Sequence, residues 1–152
     1  MHENKTQIVI GSDHAAYQLK EKIKTYLKKK TVNVNDVGTY SEDSVDYVDF
    51  GIKVSTLVST GKYKRGILLC GTGLGMSMVA NKFPHVRAGL CNGLFSAIMS
   101  RRHNDSNILV MGGRVIGEEL AIEIVRVWLK TPFEGGRHQL RINKFDRIEE
   151  MM

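Results

Sequence analysis

GILLCGTGLGMSMVANK, residues 66–82, joins two periodicities through a glycine-rich turn. Gly66 to Leu69 is an apolar run of strand length, and Met76 to Lys82 has the spacing of a short helix. Between them lies Cys70-Gly71-Thr72-Gly73-Leu74-Gly75, with three glycines in five positions. Glycines let the backbone turn tightly and aim N–H groups inward, and the following helix adds its positive end. Such a turn can hold a phosphate, or an oxyanion that develops during a reaction.

On either side the chain repeats the same alternation. Gln7 to Ile10 reads as a buried strand stopped by Gly11, and Leu19, Ile23, Tyr26 and Leu27 recur at helical spacing. Val32 to Val37 alternates as a strand, Gly38 opens a polar loop through Ser44, and Phe50, Val54, Leu57 and Val58 mark a helix ending near Gly61. Beyond the central stretch come a strand at Arg87 to Leu90, a helix around Phe95 to Arg102 and a strand at Ile108 to Met111. The helix from Glu118 to Leu129 carries Leu120, Ile124, Val127 and Trp128 on one side. After Thr131-Pro132 and Gly135-Gly136 a last helix runs from His138 towards Glu149. Five strands alternating with helices predict an α/β fold of three layers, Rossmann-like, with a five-stranded parallel sheet and a C-terminal helix. Ligands in such sheets bind beyond the carboxyl ends of the strands, where the strand order reverses. That rule selects Gly11 to His14, Gly38 to Tyr47, Cys70 to Gly75, Cys91 to Asn92 and Gly112 to Arg114.

The bulk numbers fit a single domain over residues 1–152, 42% hydrophobic and 25% charged, with two prolines. No apolar run reaches the ~20 residues that span a bilayer, so no membrane association is expected. Met1 to Lys5 has no basic region followed by an apolar one, which predicts no signal peptide. Two cysteines make no disulfide framework, so reduced thiols and a cytoplasmic location are expected. The formal net charge is +6, but its one dense run, Lys28-Lys29-Lys30, falls at a helix end where cations complement the dipole. With no aromatic-rich platform, nucleic-acid binding ranks last. A moderately basic surface also suits a small anionic substrate.

Each motif has a plain alternative. The glycine turn is G-x-G-x-G rather than G-x-G-x-x-G, and Cys91-Asn92-Gly93 stands where a ribose-binding acid would be expected. No Lys-Ser/Thr follows it, which excludes a Walker loop. Free cysteine is often buried for packing alone. Yet Cys70 sits at a helix-proximal turn among inward N–H groups, where a thiolate is stabilised and can take a proton or attack an electrophile. Cys91 lacks that setting and reads as structural. Asp13 could be only a helix N-cap, but His14 beside it at a strand end suggests a polar site. His103, in Arg102-His103-Asn104-Asp105, could complement a helix end or exchange protons near neutral pH. Arg137 and Arg141, four apart, form either a solvated face or a planar clamp for phosphate. Metal ligation has little support: there is no His-x-x-x-His pair, no Cys-x-x-Cys and no cluster of carboxylates at strand ends.

GSDHAAYQLK, VGTYSEDSVDYVDFG, GILLCGTGLGMSMVANK, RRHNDSNILVMGGRVIG and FEGGRHQLR, in that order, span nearly the whole chain. Together they resemble the type B ribose-5-phosphate isomerases and their galactose- and allose-6-phosphate isomerase relatives. The combination outweighs the plain alternatives for Asp13, His103, Arg137 and Arg141. The resemblance implies interconversion of D-ribose 5-phosphate and D-ribulose 5-phosphate, a step of the pentose phosphate pathway, through an enediolate with no metal or other cofactor. It implies a homodimer with active sites built across the subunit interface, and leaves open a pairing of dimers into tetramers. By the resemblance, Cys70 is the proton-abstracting base and His103 the acid–base group that helps open the sugar ring. Asp13 and His14 contact substrate, and Asp13 also relays protons. Gly71, Thr72, Gly73, Leu74 and Gly75 cradle the enediolate, while Tyr47, Asn104, Arg114, Arg137 and Arg141 contact sugar and phosphate. Two departures stand out. The common Asp-Tyr-Pro is Asp46-Tyr47-Val48 here, which is expected to loosen the loop near the sugar, and the glycine usual after Asp-His-Ala is Ala16. A six-carbon sugar phosphate as substrate, or a sugar-phosphate-binding module without catalysis, are the alternatives.

Overall fold

The computed structural model describes residues 7–152. Five strands, β1 (Gln7–Ser12), β2 (Asn33–Asp36), β3 (Arg65–Cys70), β4 (Ala88–Leu90) and β5 (Ile108–Gly112), form one sheet in the order β2-β1-β3-β5-β4. Every pairing is parallel. Six α-helices connect or follow them: α1 (Tyr17–Lys29), α2 (Tyr47–Ser59), α3 (Leu74–Ala80), α4 (Leu94–Arg102), α5 (Glu118–Lys130) and α6 (Arg137–Glu150). The three-layer α/β/α architecture expected from the alternation is the one observed. Chain order reverses between β1 and β3, and this opens the crevice above their carboxyl ends.

Strand alternation sorts the core into two layers. Ile8, Ile10, Ile67, Leu69, Leu109 and Met111 pack with Ile23 and Leu27 of α1, Ala97 of α4, and Ile124 and Trp128 of α5. Val9, Leu68, Cys70, Ile108 and Val110 face the other way, against Val54 and Val58 of α2 and Met76 and Ala80 of α3. The central strands are therefore apolar on both faces, as parallel strands covered by helices must be. In α5 the inward stripe is Ala121, Ile124, Val125 and Trp128. Leu120, expected on that side, is exposed, because the buried stripe is centred one residue later.

Two polar devices fix the crevice wall. Lys20, fully buried, donates from Nζ to both carboxylate oxygens of Asp36, at 2.6 and 2.5 Å, and ties α1 to β2. Asp36 also accepts the Gly38 N–H at 2.9 Å. Gly38 and Thr39 then bracket the end of β1, through Ser12 N–H to Gly38 O and Thr39 N–H to Ser12 O, both 2.8 Å. The second device is the cap of α2, where Asp46 Oδ1 accepts the Val48 N–H at 2.9 Å. Proline has no N–H, so the valine that departs from the common pattern supplies the capping donor. The loop expected to be loosened is pinned instead, and Tyr47 opens a helix rather than closing a loop.

Helix α6 lies along the β4 edge. His85 Nδ1 stands 3.6 Å from Asp146, and Phe145 faces a hollow shared with Val86, Ala88 and Ser100. His138 and Ile142 are its buried residues, whereas Leu140, Phe145 and Ile148 are exposed.

Candidate active site

The residues singled out in the sequence fall into two groups at opposite ends of the sheet. The first group lines the crevice at the carboxyl ends. Cys70, 5% exposed, ends β3 with its side chain towards α2 and α3. Gly73 donates its N–H to Cys70 Sγ at 3.1 Å. Gly73 can do so because it takes φ +80°, in the left-handed region where an added β-carbon would also stand 2.5 Å from Leu90. Thr72 Oγ1 accepts the Leu74 N–H at 3.2 Å, which leaves its hydroxyl proton free to donate. Thr72 itself packs over Gly112, and Arg114 packs over Gly71, where a β-carbon would stand 3.4 Å from Nη1. Tyr47 lies against Gly75 in the same way.

Asp13 caps a short 3-10 turn by accepting the Ala16 N–H at 3.2 Å, so the N-cap and a place in the crevice coexist. Its own N–H donates to Leu69 O at 3.2 Å, which holds the end of β1 beside β3. His14 Nδ1 accepts the Val45 N–H at 3.1 Å, which puts the ring proton on Nε2 as a donor. Ala16, which replaces the usual glycine, is buried and its β-carbon fills the space beside Gly113.

The second group is His103, Asn104, Arg137 and Arg141. Helix α4 runs back along the sheet, so His103 at its carboxyl end lies near the amino ends of the strands. The connection shows it: Asn107 O accepts the Gly66 N–H at the start of β3, and Asp105 O accepts from Arg87 just before β4, each at 2.9 Å. Five residue steps along β3 then separate this edge from Cys70, about 16 Å. The Glu134 N–H donates to Arg102 O at 3.1 Å and brings the start of α6 to the same edge. There His103 and His138 stack, with ring centroids 4.2 Å apart and 11° between planes. Within one chain the fold does not bring His103, Arg137 or Arg141 to Cys70. Asn104 is exposed beside the Phe145 hollow.

Sequence reasoning missed Glu134 and His138 as members of this second group. His138 Nε2 lies 3.5 Å from Glu134 Oε2, a pair that helical spacing does not predict because Glu134 precedes α6 and the Gly135-Gly136 turn. Burial, joined by the charges of His103 and Arg137, pushes the His138 imidazole below its ordinary pKa, and Glu134 pulls the other way. His103, Glu134 and His138 offer ligand atoms all within 4.8 Å of one another, so they could hold a metal ion. The flanking Arg137 and Arg141 charges oppose a cation there. Cys91 is buried beside Gly89 and Ser100, and burial pushes its thiol up, in keeping with a structural role.

A family model described as Ribose/Galactose Isomerase matches residues 8–145, a span that takes in both groups. The chain belongs to this family. Ribose-5-phosphate isomerase B of Escherichia coli K12 is 44% identical, over 95% of this chain and 97% of its own length. D-erythrulose-4-phosphate isomerase of Pectobacterium atrosepticum is 42% identical, over 93% and 94%. Among solved structures, ribose-5-phosphate isomerase B of Clostridium thermocellum superposes with a TM-score of 0.94 at 51% identity, over 96% of this chain and 99% of that one. The Mycoplasma genitalium enzyme, solved with bound ribulose-5-phosphate, gives 0.92 at 40%, over 97% and 98%. This member of the family is a sugar-phosphate isomerase. No helix of the described residues is long and apolar enough to cross a membrane.

Proposed function

We propose that the chain interconverts D-ribose 5-phosphate and D-ribulose 5-phosphate by proton transfer, with Cys70 as the base. The observation that carries this reading is the Gly73 N–H donated to Cys70 Sγ in the glycine-rich turn at the crevice. The relatives named as ribose-5-phosphate isomerases support the five-carbon substrate. The relative that acts on D-erythrulose 4-phosphate makes a four-carbon sugar phosphate the second reading.

In the proposed reaction His103 assists opening of the furanose, and the acyclic aldehyde binds with its phosphate among His14, Arg114, Arg137 and Arg141. The Cys70 thiolate takes the proton from C2 and the electron pair moves to O1. The Thr72 hydroxyl and the N–H groups of the turn other than those of Gly73 and Leu74, which Cys70 Sγ and Thr72 Oγ1 already hold, stabilise that oxyanion, each well-aimed donor contributing about 3 kcal/mol. The proton on sulfur returns to C1, while the C2 hydroxyl proton passes to O1 with Asp13 as relay, and the ketose results. Tyr47 and Asn104 contact the sugar. Because Cys70 and His103 lie at opposite ends of one sheet, the working unit is a homodimer in which each crevice is completed by the partner's second group. The exposed apolar side chains Leu74, Met78 and Leu140 fit such a contact.

Cys70→Ala tests the base. Loss of general-base catalysis lowers turnover of ribose 5-phosphate by roughly 10²–10⁴, while the melting temperature and binding of the sugar phosphate persist. Turnover near that of the unaltered protein would remove Cys70 from this role. Side-by-side turnover of ribose 5-phosphate, erythrose 4-phosphate and allose 6-phosphate decides the substrate.

A further inference from the structure

At the amino edge of the sheet, away from the Cys70 turn, lies a hollow of about 640 Å³. Its wall includes Lys64, Arg65, Arg87, Arg101 and a single acid, Asp105. Asp105 serves two of these cations, with Arg101 Nη1 at 2.8 Å from Oδ1 and Arg87 Nη2 at 3.4 Å from Oδ2. Arg65 has no carboxylate partner among the described residues. Its Nη1 donates to the carbonyls of Trp128 and Leu129, at 3.3 and 3.1 Å, and its guanidinium lies 5.2 Å from the Trp128 ring centre. Four cations against one carboxylate leave a charge of +3.

A structural account explains part of this. Helices α2, α4 and α5 all end at this edge, and their carboxyl ends carry about half a negative charge each. Arg65 and Arg101 cap carbonyls there, at Trp128, Leu129 and Thr131. Three half-charges offset only half of the excess, so roughly +1.5 remains in a concave site. Burial, and after it the nearby Arg101, push Arg65 down to about 10, while Asp105 pulls the other way.

We propose that this hollow is an anion site separate from the catalytic crevice, and that it takes a phosphate group, either inorganic phosphate or that of a phosphomonoester. Guanidinium forks match the planar oxygen pairs of phosphate, and Arg65 and Arg87 have donors to spare. Lys64, exposed at the rim, adds a point charge.

The test uses the full chain carrying Arg137→Ala and Arg141→Ala, which disables the arginine pair assigned to substrate, and titrates inorganic phosphate by calorimetry. One saturable site per chain is expected, weakened about tenfold by the further change Lys64→Glu and abolished by Arg87→Gln. Lys64 is exposed, so its variant should fold even if Arg87→Gln does not. No saturable binding, or the same affinity after Lys64→Glu, would overturn the site. Ribose 5-phosphate binding as tightly as inorganic phosphate means that the phosphate group alone is read, whereas tighter binding assigns the site to phosphomonoesters. Turnover by Lys64→Glu in an otherwise unaltered chain is expected to be unchanged, so the isomerase reading and the anion site can fail independently.

Discussion

A β-carbon at Gly75 would stand 2.5 Å from the Tyr47 ring, while one at Gly73 would meet Leu90 at 2.5 Å and the Met111 carbonyl carbon at 3.1 Å. These two glycines sit two residues apart, yet alanine should affect them differently. Gly75 lies in the first turn of α3, where alanine favours the helix by about 1 kcal/mol, so Gly75→Ala should melt no lower than the parent. The ring of Tyr47 must move, and the expected result is a several-fold rise in KM with the fold intact, read by steady-state kinetics beside a thermal melt. Gly73 holds φ +80° as well as the crowding. Gly73→Ala should lose about 1–2 kcal/mol of stability and much of its turnover, because the N–H aimed at Cys70 shifts with the backbone. An unchanged kcat would show that this N–H does not matter. At this scale the crevice was legible wherever chemistry was local in sequence, as in Asp13-His14 and the Cys70 turn. Glu134 and His138 were not, because their meaning comes from the stack on His103, and no spacing along the chain encodes that contact.

The elements themselves were legible almost residue by residue, since strand and helix periods alternate without interruption. What sequence could not supply was the ion pair that sets the crevice wall, because Lys20 and Asp36 look like ordinary surface residues of a helix and a strand. Lys20 is fully buried and donates to both oxygens of Asp36. Asp36→Asn leaves that ammonium with only the half-exposed Glu21 carboxylate, 3.5 Å away, and should destabilise the chain by about 3 kcal/mol. Urea unfolding measures it, and a loss below about 1 kcal/mol would mean that water reaches Lys20. The same pair predicts an acid limb. Burial raises the Asp36 pKa, but hydrogen bonds from Lys20, Lys24 and the Gly38 N–H outweigh it and hold the carboxyl below its ordinary 3.8. The folded state therefore binds this proton less readily than the unfolded chain. The contribution is full above about pH 4 and is lost as pH falls below it. A plot of unfolding free energy against pH should steepen there, and less so in Asp36→Asn.

At the scale of the molecule, two half-sites stand about 16 Å apart along β3, each too incomplete for the reaction proposed. Helix α4 runs antiparallel to the strands, so anything at its carboxyl end lies at the wrong edge for the crevice of its own chain. The alternation of elements already implied this placement of His103, although only the strand order and the Arg102–Glu134 contact make it concrete. A two-fold partner resolves the problem if it presents its second group to this crevice and receives the same in return. Cys70→Ala and His103→Asn should each be inactive alone. Mixed in equal amounts, unfolded and refolded together, they pair at random, and half of the dimers carry one of each chain. Every such mixed dimer has one crevice with both defects and one with neither, so the mixture should recover about a quarter of the parent's activity. Sites contained within single chains would recover none. Recovery with the parent's KM for the sugar phosphate would show that the restored crevice is an intact one, with Cys70 from one chain working beside His103 from the other.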